Sequence, residues 1–446
     1  MTLETIISSF CLSPEALASI RASFASDMKK GWEAGRGAGA PPSASSLKML
    51  TSHVNVFASG QESGVYYAVD LGGSNLRVLR VCLCPGMKPI VEEERHVIPH
   101  SVTEAKATAE QLFDFIAATA KVLTDKHTDD VKPGASLPVG FTFSFPMSQD
   151  GISSGRLIEW TKGFLTRGCV GEDPAMLLSA AFKRLSVPLQ VVALCNDTVG
   201  TLMTCAYEFG GCPTCRVGVI LGTGTNAAYV DPSLDNLIVN VEWGGFTCAA
   251  LNRNKFDIAV DEGSPNQGKQ FLEKMVSGMY MGELTRLAVV ESLESSEIPA
   301  VLLNPGGLET EQLSNFLEHP NTDPLSLKFT ENVSVALGLI GNAVLDRSAD
   351  ICATALAAVA EKSLSGRVPS GDGSVLLTVG LDGSLFTKGF RYPDRLRKSL
   401  AKVAGVEFGQ KIRFVRSNDG SGVGAAVIAA AVTSNHVTCA SREKGV

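Results

Sequence analysis

The feature that most constrains this chain is a recurring unit: a short β-type apolar run that stops at Gly, Asp, Asn or Thr. Val65-Tyr66-Tyr67-Ala68-Val69 stops at Asp70, is broken by Gly72-Gly73, and resumes as Leu76–Val81 with Arg77 and Arg80 interspersed. That is strand–turn–strand, a hairpin with glycines at its tip. Val139–Phe145 stops at Pro146, Val191–Leu194 at Asn196-Asp197, and Arg216–Leu221 at Gly222-Thr223-Gly224. Val375–Val379 runs into Gly380-Leu381-Asp382-Gly383-Ser384 and reads as a further glycine-tipped hairpin. Leu112, Phe113, Phe115, Ile116, Val122 and Leu123 mark an amphipathic helix between two of the runs. Strands that alternate with helices and end in polar or small residues predict an α/β protein with its sites at strand ends. The repeated hairpins predict two related halves facing each other across a cleft.

With 446 residues, 45% of them hydrophobic, the chain exceeds one ordinary core and is expected to form two domains. The expected division is a small α/β domain over 65–200, with a C-terminal helix from about 424–446, and a large α/β domain over 1–64 and 201–423. Ser13-Pro14-Glu15 starts a helix whose apolar stripe is Leu17, Ile20, Phe24 and Met28, and Gly35–Ser46 reads as a loop. Charged residues make up 19%, which argues against disorder, and the net charge is −7 with no Lys/Arg-rich run. Neither nucleic acid nor a membrane surface is therefore an expected partner. The only CxxC among eleven cysteines is Cys212–Cys215, which reads as a surface turn with no second pair at zinc spacing. An odd cysteine count without a secretory signal, and no apolar run near 20 residues, predict a cytoplasmic enzyme. Organelle import and a homo-oligomer are both allowed for.

The chemistry sits at the strand ends. In Asp70-Leu71-Gly72-Gly73-Ser74-Asn75-Leu76-Arg77 the glycines let backbone N–H groups approach phosphate oxygens, and Ser74 and Asn75 add donors. Asp70 is placed to hold Mg²⁺ through its water shell. A plain hairpin turn explains the same residues equally well. Gly222-Thr223-Gly224-Thr225 repeats the logic but lacks the third glycine and helix of a dinucleotide fingerprint, and no P-loop occurs. Gly383-Ser384 and Gly420-Ser421 lie in two later loops. The second of these, Asn418–Gly424, leads into Ala425–Val432, read as a buried helix whose N-terminus favours phosphate or ribose contacts. Asp197 suits a proton acceptor, although a helix cap for a helix starting near Val199 accounts for it as well. Asp346-Arg347-Ser348 are considered for nucleotide contact and not assigned.

Read in order, the motifs resemble the hexokinase family. The segment Ser46-Leu47-Lys48-Met49-Leu50, the loop Asp70–Arg77, and Leu137–Pro146 followed by Glu159-Trp160-Thr161-Lys162-Gly163-Phe164 all fall in the family's order. Asn196-Asp197-Thr198-Val199-Gly200-Thr201, Gly222–Asn226, Glu242-Trp243-Gly244, Gly268–Met275 and Met279–Glu283 continue it. The resemblance covers about Ser46 to Ala430 and is weakest over Leu284–Asn332. It implies an actin-like or ribonuclease-H-like ATPase fold with an interdomain cleft. It implies transfer of the γ-phosphoryl group of MgATP to the 6-hydroxyl of glucose or a related hexose, the first step of glycolysis. Asp197 is then implied as the base, with Lys162 near the transferring group. Ser144, Thr161, Lys162, Asn196, Asp197, Asn226, Glu242, Gln270 and Glu273 are implied as sugar ligands, a donor–acceptor set suited to a ring of hydroxyls. The ATP contacts implied are Asp70, Gly72, Gly73, Ser74, Asn75, Arg77, Gly222, Thr223, Gly224, Thr225, Gly383, Ser384, Gly420 and Ser421. Ser74 stands where the family usually has Thr, Thr225 where it usually has Ser, Asn418 where an acid is common and Val423 where a basic residue often sits. Rival readings are a kinase narrow for one hexose (a glucokinase), a non-catalytic sugar sensor, and a chaperone- or actin-like ATPase.

Overall fold

The computed structural model describes residues 1–34, 45–55, 57–132, 134–324, 328–366, 375–417 and 419–442, with side chains described as far as 434. Most of the expected loop 35–46, Asn418 and the tail 443–446 lie outside the described residues. The strands are β1 (Leu50–Thr51), β2 (Gly64–Leu71), β3 (Asn75–Leu83), β4 (Ile90–Val97), β5 (Leu137–Phe143), β6 (Met147–Gly151), β7 (Ser154–Leu157), β8 (Leu189–Cys195), β9 (Cys215–Leu221), β10 (Thr225–Asp231), β11 (Leu237–Asn240), β12 (Leu377–Asp382) and β13 (Ile412–Arg416). One sheet has the order β4-β3-β2-β5-β8, and a second has β1-β11-β10-β9-β12-β13. β6 and β7 form a separate hairpin.

Leaving out β1, the two sheets have one plan. Each begins with an antiparallel hairpin, β2–β3 with Leu71 opposite Leu76 and β9–β10 with Leu221 opposite Thr225. A third strand extends the hairpin on its outer side, and two strands parallel to the first follow on the other side. Each fifth strand leads into a helix: β8 into Asp197–Glu208, and β13 into Gly420–Arg442. The expected pair of related halves is thus a duplicated topology. Its second glycine-tipped hairpin is β9–β10.

Two expectations need correction. The strand at Gly380 does not turn back there; it runs to Asp382 and passes into a helix over Ser384–Lys388. Its neighbours β9 and β13 are both parallel to it, so no tight hairpin can close at that end. Gly383, at φ +113°, makes the turn and lies against the backbone of Leu221. The second correction concerns the C-terminal helix, which starts at Gly420 rather than Ala425, so its glycines belong to the helix.

Packing explains those glycines. One core lies between the first sheet and the helices Ala109–Lys126 and Pro174–Arg184, and a larger one surrounds the helix Glu331–Leu364 and the second sheet. A third core is sandwiched between the sheets. It joins Ala68, Leu79 and Val81 of the first to Ala228, Val230 and Ile238 of the second through the helices Asp197–Glu208 and Gly420–Arg442. These two helices touch backbone to backbone: a Cβ on Gly424 would overlap the Gly200 carbonyl, and one on Gly200 would stand 2.7 Å from the Ser421 carbonyl oxygen.

Gly424→Ala is expected to cost about 1–3 kcal/mol through overpacking. Gly338→Ala, in the interior of Glu331–Leu364 with nothing within 4 Å of the added Cβ, should leave stability equal or raise it. Thermal or denaturant unfolding of the two variants beside the parent checks both signs.

Candidate active site

Because β2, β5 and β8 are mutually parallel, their C-terminal ends lie side by side and deliver Asp70, Ser144 and Asn196-Asp197 to one place. Asn196 is the cap of its helix: its Oδ1 accepts from the Thr198 N–H at 3.0 Å and the Thr198 hydroxyl at 2.6 Å. Asp197 is therefore the first helical residue, two positions earlier than the sequence suggests, and the cap explanation belongs to its neighbour. The Asp197 carboxylate takes the Thr198 N–H at 2.8 Å and the Ser144 hydroxyl. Burial pushes its pKa up. The Lys162 ammonium opposes that rise, and the nearby Asp70 charge adds to it.

Lys162 follows β7 in a turn stacked on aromatic rings. Trp160 packs on Phe143, Phe145 and Phe164 with centroids 4.7–5.9 Å away, and its indole N–H donates to the Thr166 carbonyl at 2.8 Å. From this platform the Lys162 ammonium donates to the Ser144 carbonyl at 2.8 Å and stands 5.5 Å from the Phe145 centroid. Thr161, half-buried beside it, accepts the Phe164 N–H at 3.2 Å through its carbonyl. A methyl group on Gly73 would stand 2.9 Å from Lys162 Cδ, so the first glycine tip abuts this turn.

The facing wall comes from the second sheet. Asn226 on β10 donates to Asn240 Oδ1 at 2.8 Å and to Glu242 Oε1 at 3.2 Å, and Asn240 donates to the same Glu242 oxygen at 2.9 Å. A weaker 3.4 Å contact ties Asn226 to Asn196. Glu273 Oε2 accepts the Thr225 N–H at 3.0 Å. Burial raises both acids. Lys48 most opposes the rise at Glu242, and the Thr225 N–H opposes it at Glu273, with Lys162 felt by both. Gln270 Oε1 is buried without a hydrogen-bond partner, a position suited to a ligand hydroxyl. Lys162, Glu242 and Gln270 each have φ near +55°, a left-handed conformation that costs a non-glycine residue about 1–3 kcal/mol and clusters at binding sites.

The residues assigned to nucleotide divide into two groups. Ser74, Asn75, Thr223 and Ser384 are exposed at the loop tips, and a Cβ on Gly222 would stand 3.4 Å from Gly383 Cα. Gly72 donates its N–H to the Asn75 carbonyl, and Gly224 carries the carbonyl that closes the second tip on the Gly222 N–H. The others turn inward. Arg77 pairs with Asp70 and Asp419 and donates to Ser421 Oγ at 2.9 Å. Ser421 is buried and donates to Asp70 Oδ2 at 2.9 Å. The Gly420 N–H goes to Asp382 at 2.9 Å, so the helix start expected to face phosphate is capped from within. Thr225 donates its hydroxyl to the Ile220 carbonyl and receives the Trp243 indole N–H, both at 3.0 Å. Arg347 and Ser348 belong to the core, Arg347 in a two-pronged pair with Asp257 at 2.7 Å and Ser348 against Tyr392. The Cys212–Cys215 turn is also more than surface: Cys215 opens buried β9 with its Sγ 3.4 Å from Cys205 Sγ. Among the described residues no His, Cys, Asp and Glu grouping could hold a metal by itself. Asp70 nonetheless fits a hydrated cation, because all its recorded hydrogen bonds fall on Oδ2.

Sequence reasoning missed Asn240, which orients Glu242 and Asn226, and Asp382, which caps the C-terminal helix. Lys48 was noted only as part of a resembling segment. Asp382 and Lys48 act on residues distant in the sequence, and Asn240, although two positions from Glu242, is tied to the site by Asn226 fourteen positions away, so no local signal marks them.

Two family profiles, both described as hexokinase, match residues 2–207 and 216–431. Spinach hexokinase-1 is 38% identical over 419 residues, covering 87% of this chain and 83% of its own length. Human hexokinase-2 is 38% identical over 448 residues, 94% of this chain, which spans only 47% of that longer protein. A hexokinase crystal structure superposes with a TM-score of 0.84 at 34% identity, covering 96% of this chain and 98% of its own. A glucose complex of the Schistosoma mansoni hexokinase gives 0.81 at 31%, with the same coverage. The fold is therefore the two-domain, actin-like kinase fold, and the chain belongs to the hexokinase family.

Proposed function

We propose that this chain transfers the γ-phosphoryl group of MgATP to the 6-hydroxyl of glucose or a related hexose. The observation that carries the reading is the half-buried Asp197 carboxylate, which accepts the Ser144 hydroxyl, feels the Lys162 charge, and is itself felt by the facing acids Glu242 and Glu273. The hexose would lie between Ser144, Thr161 and Asn196 on one wall and Asn226, Glu242, Gln270 and Glu273 on the other. Its hydroxyls would donate to the carboxylates and to the unpartnered Gln270 oxygen. The triphosphate would run along the two hairpin tips, from Gly72, Gly73, Ser74 and Asn75 to Gly222, Thr223 and Gly224, with Gly383 and Ser384 beyond. Arg77, Thr225, Gly420 and Ser421 would act one step back by fixing Asp70, Glu273 and the helix start.

In the proposed step the 6-hydroxyl oxygen attacks the γ-phosphorus, the bond from that phosphorus to the ADP oxygen breaks, and Asp197 takes the hydroxyl proton. Lys162, held beside Ser144 and felt by Asp197, would supply the positive charge that stabilises the transferring phosphoryl oxygens. A magnesium ion, when bound, neutralises triphosphate charge, and Asp70 would hold it through water. No helix among the described residues is long and apolar enough to cross a membrane.

A coupled assay with glucose and MgATP tests the activity, and glucose binding without turnover would favour a sensor instead. Asp197→Asn should lower kcat about 10²- to 10⁴-fold while sugar binding persists; near-normal turnover would remove Asp197 as the base. The base works only when deprotonated, and burial raises its pKa. The parent's rate should therefore fall with decreasing pH above the ordinary carboxylate range near ~4. A flat pH–rate profile down to that range would contradict this. Glu273→Ala should raise the sugar KM about ten- to a hundredfold, as expected for removing a charged hydrogen-bond acceptor.

A further inference from the structure

Glu159 immediately precedes the stacked Trp160 and lies two residues before Thr161 and three before Lys162, so whatever holds Glu159 also holds that turn. Its two carboxylate oxygens face different lysines: Oε1 accepts from Lys48 Nζ at 2.8 Å, and Oε2 from Lys269 Nζ at 3.4 Å. Neither lysine belongs to the core that Trp160 packs on. Lys48 stands between Leu47 and Met49, both buried in the core of the second sheet, and the Met49 N–H donates to the Val241 carbonyl next to Glu242. Lys269 immediately precedes Gln270. One carboxylate therefore ties the turn carrying Lys162 to the segments carrying Glu242 and Gln270. Its pairing with Lys48 holds the Glu159 carboxyl below its ordinary range, so the bridge is charged at neutral pH.

We infer that Glu159 is a positioning residue: its carboxylate bridges Lys48 and Lys269 across the cleft and holds the Thr161-Lys162 turn against the Glu242–Glu273 wall. It does not touch sugar or phosphate. The Glu159 and Lys269 side chains are 41% and 68% exposed and Lys48 is 32% exposed, so each contact is individually weak and open to salt. A weak tie suffices here. The apparent sugar affinity scales with the fraction of molecules whose two walls are already apposed, and a small energy shifts that fraction severalfold. The inference rests on the proposed hexose site, and its test separates the two.

Sugar saturation curves at saturating MgATP, in about 0.05 M and 0.5 M salt, would be compared for the parent, Glu159→Gln, Lys48→Met and the double variant. Small-angle scattering of the sugar-free proteins accompanies them. Glu159→Gln is expected to raise the sugar KM about two- to fivefold, with kcat nearly unchanged and the melting temperature preserved. Added salt should raise the parent's KM and leave that of Glu159→Gln unmoved, and the double variant should be no worse than the poorer single one. The radius of gyration of Glu159→Gln should exceed the parent's at low salt and match it at high salt. A parental KM and salt response in Glu159→Gln, additive effects of the two substitutions, or identical scattering curves would overturn the inference. Absence of hexose phosphorylation in the parent would instead overturn the proposed function, and the scattering comparison would still decide the role of Glu159.

Discussion

The rest of the structure depends on one close contact, the crossing of the helices Asp197–Glu208 and Gly420–Arg442 at Gly200 and Gly424. Both helices follow the fifth strand of their sheets, so they are equivalent elements of a duplicated plan that meet between the two copies. Only glycine allows the backbones so near. The contact sets the spacing of the sheets, and with it the distance between strand ends. Because Ser421 sits one turn from the crossing and reaches Asp70, while Asp197 heads the other helix, a single packing event places both carboxylates. Gly140 belongs to the same arrangement, since a Cβ there would overlap the Ala425 carbonyl.

Around that frame the site concentrates features that folding alone would avoid. Burial raises Asp197, Glu242 and Glu273 alike, the Asp197 charge adds to the rise at both glutamates and the Glu242 charge to that at Glu273, with Lys162 as the cation felt by all three. Like charges in a partly dry site oppose stability. So do left-handed conformations at Lys162, Glu242 and Gln270 and an unpartnered buried acceptor on Gln270. The polar ties around them, such as Asn240 to Glu242 and Thr225 to Glu273, hold the acids in place without neutralising them. A pocket built this way is organised for a ligand rich in donors, which is the character of a sugar.

Local chemistry made much of this legible in the sequence. Asp70, the glycine tips and Asn196-Asp197 announce themselves because strand ends and tight turns have residue preferences that act over a few positions. What the sequence misplaced depends on partners far along the chain. Gly380 looks like a turn, but lies within β12 because parallel strands flank it on both sides. The glycines at 420–424 look like a loop because propensity disfavours them in helices, and tertiary contact with Gly200 overrides that preference. Arg77, Ser421 and Thr225 have the right chemistry for phosphate, yet their side chains are engaged by Asp70, Asp419, Ile220 and Trp243. Type and order identified the neighbourhood, whereas the direction in which each side chain points needed the packed structure.

The division of labour between the two sheets has a chemical consequence. Asp197, the proposed base, and Lys162 ride on the first sheet's side of the cleft, and Glu242, Gln270 and Glu273 ride on the second's. Glycine tips come from both. A hexose that satisfies acids on one wall and Ser144 and Asn196 on the other would draw the walls together, and water would leave as the tips approach. Water is a competing nucleophile for the same phosphoryl group, so a site completed only when the sugar is present limits wasteful hydrolysis of ATP. Under the proposed function, separate residence of the two halves would let sugar binding control when Asp197, Lys162 and the triphosphate meet.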